Sequence, residues 1–314
     1  MDLMTPPAHG GPEAVITLRH VTHHYPGLAR PALDRVSLTV APGELCGILG
    51  RNGAGKTTLV RTMVGALRPA HGEARLYGTP AAAAGAARSS TGYLAQDATP
   101  MCLLTPAEAV RLTARLRGLP RAAARDERDA LIDWWGLGAF ARRRLNHLSG
   151  GQRQLALIAM ACAGAVSLVI LDEPTAGLDP GRRAEVWSRL GELNRSLGRT
   201  IVLVTHDPLE AERVLGKVVI LVAGRVAAAG RPAELKRRLG SALRVEVVGD
   251  GALGPDLPPE YAWDRAGSGL WRTLAAPEAV TGLFQRMGDN DRIADIRVRS
   301  ANLEDLYFHH AEHH

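Results

Sequence analysis

The chain has 314 residues, enough for one large and one small domain, and its 46% apolar content excludes wholesale disorder. Its net charge of +6 rests on scattered arginines, since only Lys56, Lys217 and Lys236 are lysines. Short clusters such as Arg142-Arg143-Arg144 without a long basic tail read as a solvated basic surface, so no nucleic-acid partner is expected.

Residues 1–14 are rich in Pro and Gly and lack a basic-then-apolar signal pattern, so they read as a flexible tail. Residues 15–21 and 35–40 alternate apolar and polar side chains, as two strands of a hairpin would. Between them Tyr25 suits either a flat platform for an adenine ring or a turn aromatic beside Pro26. His23 and His24 read as solvated, because no further ligand lies at metal-binding spacing.

Gly50-Arg51-Asn52-Gly53-Ala54-Gly55-Lys56-Thr57-Thr58 follows the apolar run 45–49 and precedes apolar residues at helical spacing in 59–64. Strand, glycine turn and helix are the context a P-loop requires, and the glycines do not fall at dinucleotide-binding spacing. Such a loop turns its backbone N–H groups onto a triphosphate, and the helix N-terminus adds positive potential. Lys56 can reach the terminal phosphates, and Thr57 is placed to ligate magnesium. The motif points to a bound nucleoside triphosphate.

Residues 72–77 and 91–96 read as strands around an Ala-rich loop or short helix at 79–87, with Gln96 at the second strand's end. Thr105-Pro106-Ala107-Glu108 is a capping box with Pro at the first helical position, opening a helix to about residue 117. A second helix is expected over 122–135. Leu148-Ser149-Gly150-Gly151-Gln152 then places a serine and two glycines at the start of an apolar helix. That pattern suits a second anion-recognition device; an N-cap alone would account for the serine but not for the glycines and the glutamine. Residues 155–171 carry no charge, yet they sit at the short limit for a membrane span. They read as a buried helix and then a buried strand, the latter ending at Asp172-Glu173. In P-loop enzymes such a strand end sets one acid near magnesium and another beside the attacking water.

A turn at 177–180, a helix over 182–197 and a buried strand over 200–204 follow, the strand leading to His206. That histidine stands at the strand end where open α/β sheets bind ligands. Residues 218–222 and 225–229 read as a hairpin. Beyond them strands are expected at 243–248, 270–275 and 293–298, with a helix over 277–287. Cys46, Cys102 and Cys162 form no C-x-x-C pair, and two lie in apolar runs, which fits buried reduced thiols.

In this order, Tyr25, the P-loop, Gln96, LSGGQ, Asp172-Glu173, Asp179 and His206 closely resemble the nucleotide-binding subunit of ATP-binding cassette (ABC) transporters. The resemblance covers residues 15–239, and LSGGQ separates it from ordinary P-loop ATPases. It implies an α/β fold: a P-loop NTPase core with an antiparallel β subdomain, a helical insertion at about 97–163 and a small C-terminal α+β domain at 240–314. It implies ATP and Mg2+ as ligands, with Tyr25 stacked on adenine, residues 50–58 around the phosphates, and Thr57, Gln96 and Asp172 around magnesium. Glu173 would polarise water and His206 would contact the γ-phosphate, with Lys56 completing the catalytic set. Ser149, Gly150, Gly151 and Gln152 would serve the nucleotide of a second copy, with Asp179 at the dimer seam. Ala95 replaces a frequent proline, and residues 155–163 lack an arginine often found there; neither change removes a catalytic group.

The ending Asn302-Leu303-Glu304-Asp305-Leu306-Tyr307-Phe308 resembles that of bacterial ATPases paired with separate export permeases of the multidrug, antibiotic or polysaccharide kind. The expectation is a homodimeric ATPase on the cytoplasmic face of the membrane, attached through a permease. An importer subunit or a soluble non-transport ABC ATPase is the alternative. Met101, Leu103, Leu104 and Leu112 are enough for a groove receiving a permease helix, or else pack the insertion's own core. His309, His310, His313 and His314 read as a frayed polar end.

Overall fold

The computed structural model describes residues 14–96, 101–205, 212, 214–250, 253–288, 290–303 and 305–306. Residues 1–13, 97–100 and 206–211, and with them His206, lie outside the described residues, as do the terminal histidines. Two compact units divide the chain, Met1–Ala229 and Gly230–His314.

In the larger unit, β1 (Ile16–His23) pairs antiparallel with β2 (Leu33–Val40) on one side and with β4 (His71–Leu76) on the other. The short β5 (Thr79–Pro80) closes that sheet, ahead of α2 (Gly85–Ser89). The second sheet has the order β10-β9-β3-β8-β7-β6. Its strands are β3 (Leu45–Leu49), β6 (Thr91–Leu94), β7 (Leu168–Asp172), β8 (Thr200–Thr205), β9 (Lys217–Val222) and β10 (Arg225–Gly230). All residues of β3, β7 and β8 are buried. Parallel strands covered on both faces need such continuous apolar runs, which is why these segments lack alternation.

The parallel register lines up the strand ends. Leu49 pairs with Thr205, Val204 with Asp172 and Leu171 with Leu94. The P-loop, Glu173 and Gln96 therefore all leave the sheet at one edge, the ligand-binding edge of open α/β folds. One apolar core joins Ile16, Leu18, Leu38, Leu59 and Met63 to Ile48, Ile170 and Val204, so it spans both sheets and α1 (Lys56–Met63).

Between β6 and β7 lie α3 (Pro106–Leu116), α4 (Arg121–Trp134) and α5 (Gly150–Cys162). The capping box of α3 forms, with the Glu108 N–H donating to Thr105 Oγ1 at 3.2 Å and the Thr105 N–H donating to Glu108 Oε2 at 2.9 Å. The uncharged run divides into α5 and β7, and among the described residues no helix is long and apolar enough to cross a membrane. After β7, α6 (Pro180–Leu197) leads back to β8. Cys46 and Cys162 are buried free thiols, and Cys102 is half-buried.

The smaller unit starts with α7 (Pro232–Arg238), ahead of the 239/240 boundary read from the sequence. This helix runs through a tight turn into β11 (Leu243–Gly249), the Gly240 and Ala242 N–H groups bonding back to Arg237 and Leu239. The sheet order is β12-β13-β11-β14, with β12 (Asp264–Gly267), β13 (Leu270–Ala275) and β14 (Ile293–Ser300) all antiparallel to their neighbours. Val245 and Val247 of β11 meet Leu283 and Met287 of α8 (Pro277–Met287) in its core. On β11 Arg244, next to Val245, is also buried, because Asp305 and Asn302 satisfy it at 2.7 and 3.0 Å. The Asn302 N–H also bonds Asp305 at 2.7 Å, so Asn302 and Asp305 are tied to this sheet through the buried ion pair with Arg244.

Candidate functional site

The glycines of the P-loop are dictated by the loop's neighbours. A Cβ on Gly50 would lie 2.7 Å from the Leu221 carbonyl oxygen. Gly55 caps α1 at φ +100°, and a Cβ there would lie 2.3 Å from the Ala32 carbonyl oxygen. With the chain so bent, Lys56 folds back over the loop. Its Nζ donates to the carbonyl oxygens of Gly50 at 2.7 Å and Arg51 at 3.2 Å. Burial lowers the Lys56 pKa, against the opposing pull of Glu173 and Asp172.

A cleft of about 430 Å³ brings Tyr25, Asn52, Gly53, Gly55, Lys56, Thr57 and Thr58 together with Gln96, Asp172 and Glu173. Gly50 and Ala54 are buried and shape the loop from behind, while Arg51 is exposed at its tip. Tyr25 faces its cleft neighbours directly: its hydroxyl lies 3.4 Å from Thr58 Oγ1, and its ring meets His23 edge-on with centroids 4.8 Å apart. Leu28 and Ala32, from the loop between β1 and β2, also line the cleft and were missed from sequence. Nothing in their spacing marks them; the fold of that loop over the P-loop does.

Asp172 ends β7 fully buried, and neither carboxylate oxygen has a hydrogen-bond partner of good geometry. Burial raises its pKa most; the Thr57 hydroxyl, Lys56 and Arg61 pull it down, while Glu173 adds to the rise. A buried carboxylate with only a threonine hydroxyl at hand as donor suits a hard divalent cation. The residues therefore fit a divalent cation such as Mg2+, which Thr57 and Asp172 would hold, with the exposed Gln96 at the rim of the same cleft.

Glu173 stands in the left-handed region at φ +54°, rare for a residue with a side chain and costly by about 1–3 kcal/mol. Its N–H bonds the Val204 carbonyl at 3.0 Å, and its carbonyl accepts from Ala176 at 3.2 Å. The chain thus turns out of the sheet at Glu173 while both acids stay on the cleft wall.

LSGGQ lies elsewhere. Ser149 caps α5, its Oγ accepting from the Gln152 N–H at 3.3 Å while Gln152 Oε1 accepts from the Ser149 N–H at 3.2 Å. The glutamine left over by a simple N-cap therefore closes a capping box. Gly151 packs so near Leu178 that a Cβ would lie 3.2 Å from its methyl. Asp179 likewise caps α6 by accepting from the Arg182 N–H at 3.0 Å. None of Ser149, Gly150, Gly151, Gln152 or Asp179 lines the cleft of its own chain.

Known proteins similar to this chain fall in one family. The family model described as "ABC transporter" matches residues 33–176, and one described as "AAA domain, putative AbiEii toxin, Type IV TA system" matches 141–212. The methionine import ATP-binding protein MetN of Mesorhizobium japonicum is 33% identical over 287 residues, covering 79% of this chain and 78% of MetN. The chain belongs to the ABC family. Human phospholipid-transporting ATPase ABCA7 is 39% identical over 225 residues, but the match spans only 10% of that protein and 71% of this one. Among solved structures, a bacterial ABC transporter cassette in dimeric form is 28% identical with a TM-score of 0.64, over 69% of this chain and 98% of that one. A further structure of that cassette is a post-hydrolysis dimer bound to ADP and Pi. The α/β architecture of this chain is that of an ABC ATPase cassette, a P-loop fold with mixed sheets and a helical insertion.

Proposed function

We propose that the chain hydrolyses ATP as one half of a homodimer and drives a separate membrane permease, in the direction of export. One observation carries the reading. The P-loop, Gln96, Asp172 and Glu173 share a cleft, whereas LSGGQ and Asp179 stand outside it at the N-termini of α5 and α6. A second copy facing the first would bring those helix ends to the open side of the nucleotide. The dimeric cassette structures support this arrangement.

In this reading Tyr25, already steadied by His23 and Thr58, stacks on adenine. The loop N–H groups hold the phosphates, and Lys56 exchanges its two carbonyl partners for phosphate oxygens. Thr57, Gln96 and Asp172 hold Mg2+, which when bound neutralises phosphate charge. Glu173, turned into the cleft by its left-handed backbone, orients water and takes its proton. His206 contacts the γ-phosphate. Ser149, Gly150, Gly151 and Gln152 close over the partner's nucleotide, with Asp179 at the seam.

Phosphate release should rise more steeply than linearly with protein concentration, because turnover requires two chains. A strictly linear dependence down to nanomolar protein would mean that a single chain is active and would sink the facing-dimer reading. The export direction rests on the 302–308 ending. Import is the second reading, favoured by the long match to a methionine import protein. Transport measured in oriented vesicles with the copurified permease separates the two.

A further inference from the structure

The C-terminal end of α5 is gripped from two sides. A helix leaves its last carbonyls without internal partners, and burying them unpaired is costly. Here Ala161, Cys162 and Ala163 are all buried. Arg117, the residue that closes α3, donates from Nη1 to the carbonyl of Ala161 at 3.0 Å and also to that of Ala163. Arg199, just before β8, donates to the carbonyl of Cys162 at 2.9 Å. Glu127 of α4 accepts from the Gly164 N–H at 2.9 Å.

The surroundings are built for this cluster. Arg199 is 2% exposed and Glu127 8%. Gly164 stands at φ +92°, and a Cβ there would lie 2.9 Å from Arg117 Cδ, so only glycine leaves room for the arginine. A Cβ on Gly92 of β6 would lie 2.0 Å from the Ala161 carbonyl oxygen, so the strand runs against the helix end. Asn194 holds the backbone of Arg199, donating to its carbonyl and to that of Gly43, both at 2.8 Å. Burial lowers the Arg117 pKa to about 10 and raises that of Glu127. Two cations face one carboxylate, and the surplus positive charge meets the negative end of the α5 dipole.

All three helices of the insertion therefore contribute to one buried cluster, where the chain leaves α5 for β7. The other end of α5 bears Ser149. Across its 13 residues the helix is about 20 Å long, so a tilt of about 5° at the cluster moves Ser149 by about 2 Å. Near Ser149 a neutral bond ties α5 back, from Gln154 Nε2 to the Pro174 carbonyl at 3.1 Å. The charge-assisted bonds at the far end are stronger.

We infer that Arg117, Glu127 and Arg199 form a pivot that sets the tilt of α5 and so places Ser149, Gly151 and Gln152 against the partner's nucleotide. They are positioning residues for a site they do not touch, and the inference rests on the facing-dimer reading above. Arg117→Met keeps the stem and removes every donor. In that variant a fluorescent ATP analogue should bind the separate chain within about twofold of wild type, while kcat falls about 10²-fold, the cost of displacing a reacting group by about 1 Å. ATP-driven dimers, seen by size exclusion in a Glu173→Gln background, should diminish in step. Arg117→Lys, which restores one charged donor, should recover most of kcat.

An Arg117→Met kcat within about twofold of wild type, nucleotide affinity falling in step with kcat, or an Arg117→Lys variant no better than Met would each overturn the pivot. Should Arg117→Met not fold, Gly164→Ala crowds the same guanidinium, and the same split between affinity and kcat is expected. An unchanged kcat there would overturn the pivot too. If wild type itself releases no phosphate, the ATPase reading fails instead, and ATP-driven dimerisation of the Arg117 variants still decides the pivot.

Discussion

The ammonium of Lys56 donates to the carbonyl oxygen of Gly50 at 2.7 Å, so the residue expected to hold phosphate also closes the loop that would receive it. Replacing it should separate these tasks. Lys56→Ala is expected to weaken ATP binding about 10²-fold, as for loss of a desolvated charged partner. Stability should change by less than about 1 kcal/mol, because the buried cation it removes was costly to desolvate. Isothermal titration together with thermal unfolding reads both. Unchanged affinity would remove Lys56 from the phosphate site.

Glu173 offers a cleaner separation of binding from chemistry. Glu173→Gln keeps the size of the side chain and should retain ATP, while hydrolysis falls about 10²–10⁴-fold as for a lost general base. It should also accumulate an ATP-bound dimer on size exclusion. Near-normal turnover would assign the water to another group.

The separation of LSGGQ from its own cleft predicts complementation between chains. Ser149→Arg should leave ATP binding by the separate chain intact yet abolish turnover. Mixed with Lys56→Ala it should recover activity at one of the two sites of the heterodimer, where a wild-type P-loop faces a wild-type LSGGQ. Loss of ATP binding in Ser149→Arg alone would show that the motif serves its own nucleotide.

Asp172 makes a pH prediction for the nucleotide-free chain. Its folded-state pKa lies above the ordinary value of 3.8, chiefly through burial. The folded state then holds this proton more tightly than the unfolded chain, and the stability so gained is lost as pH rises through the raised value. Asp172→Asn cannot lose a proton, so it should raise the unfolding midpoint at neutral pH relative to wild type and flatten its fall above pH 4. Magnesium-dependent turnover should drop at least about 10²-fold. A lowered midpoint at neutral pH would mean that the carboxylate is stabilised by groups other than those facing it here.

On the insertion, Leu103, Leu112 and Leu116 are 67%, 40% and 71% exposed, so they do not fill the insertion's own core. Leu112 shares a groove with Leu104, Arg111, Arg115, Arg121 and Arg125. Leu103→Cys or Leu112→Cys should crosslink to a cytoplasmic loop of the copurified permease, with a yield that changes on adding ATP. Crosslinks confined to residues 241–314 would move the transmission surface to the smaller unit.

Much of the fold was legible because its signals are local. The P-loop needs a strand, a turn and a helix in immediate succession, so spacing alone identifies it. Thr105 and Glu108 form the capping box their spacing requires. The strands of the smaller unit follow their apolar runs, except β12, whose Asp264-Arg265-Ala266-Gly267 has no apolar alternation and is held by pairing with β13. The helix α7 also went unread, since a basic, seven-residue segment with one buried leucine carries little periodic signal.

By itself the sequence determined the nucleotide motif and the acid pair, each set by residues close together in the chain, and the family, set by the order of such local motifs. Only the tertiary structure decided that Leu28 and Ala32 wall the cleft, that Glu173 enters it from a left-handed backbone, and that Arg244 is buried against Asp305. It alone brought Arg117, Glu127 and Arg199 to the end of α5. A lone arginine or glutamate has the same local pattern on a surface as in a core. Its partners are set by the order in which distant strands and helices pack, and that order is a property of the whole chain.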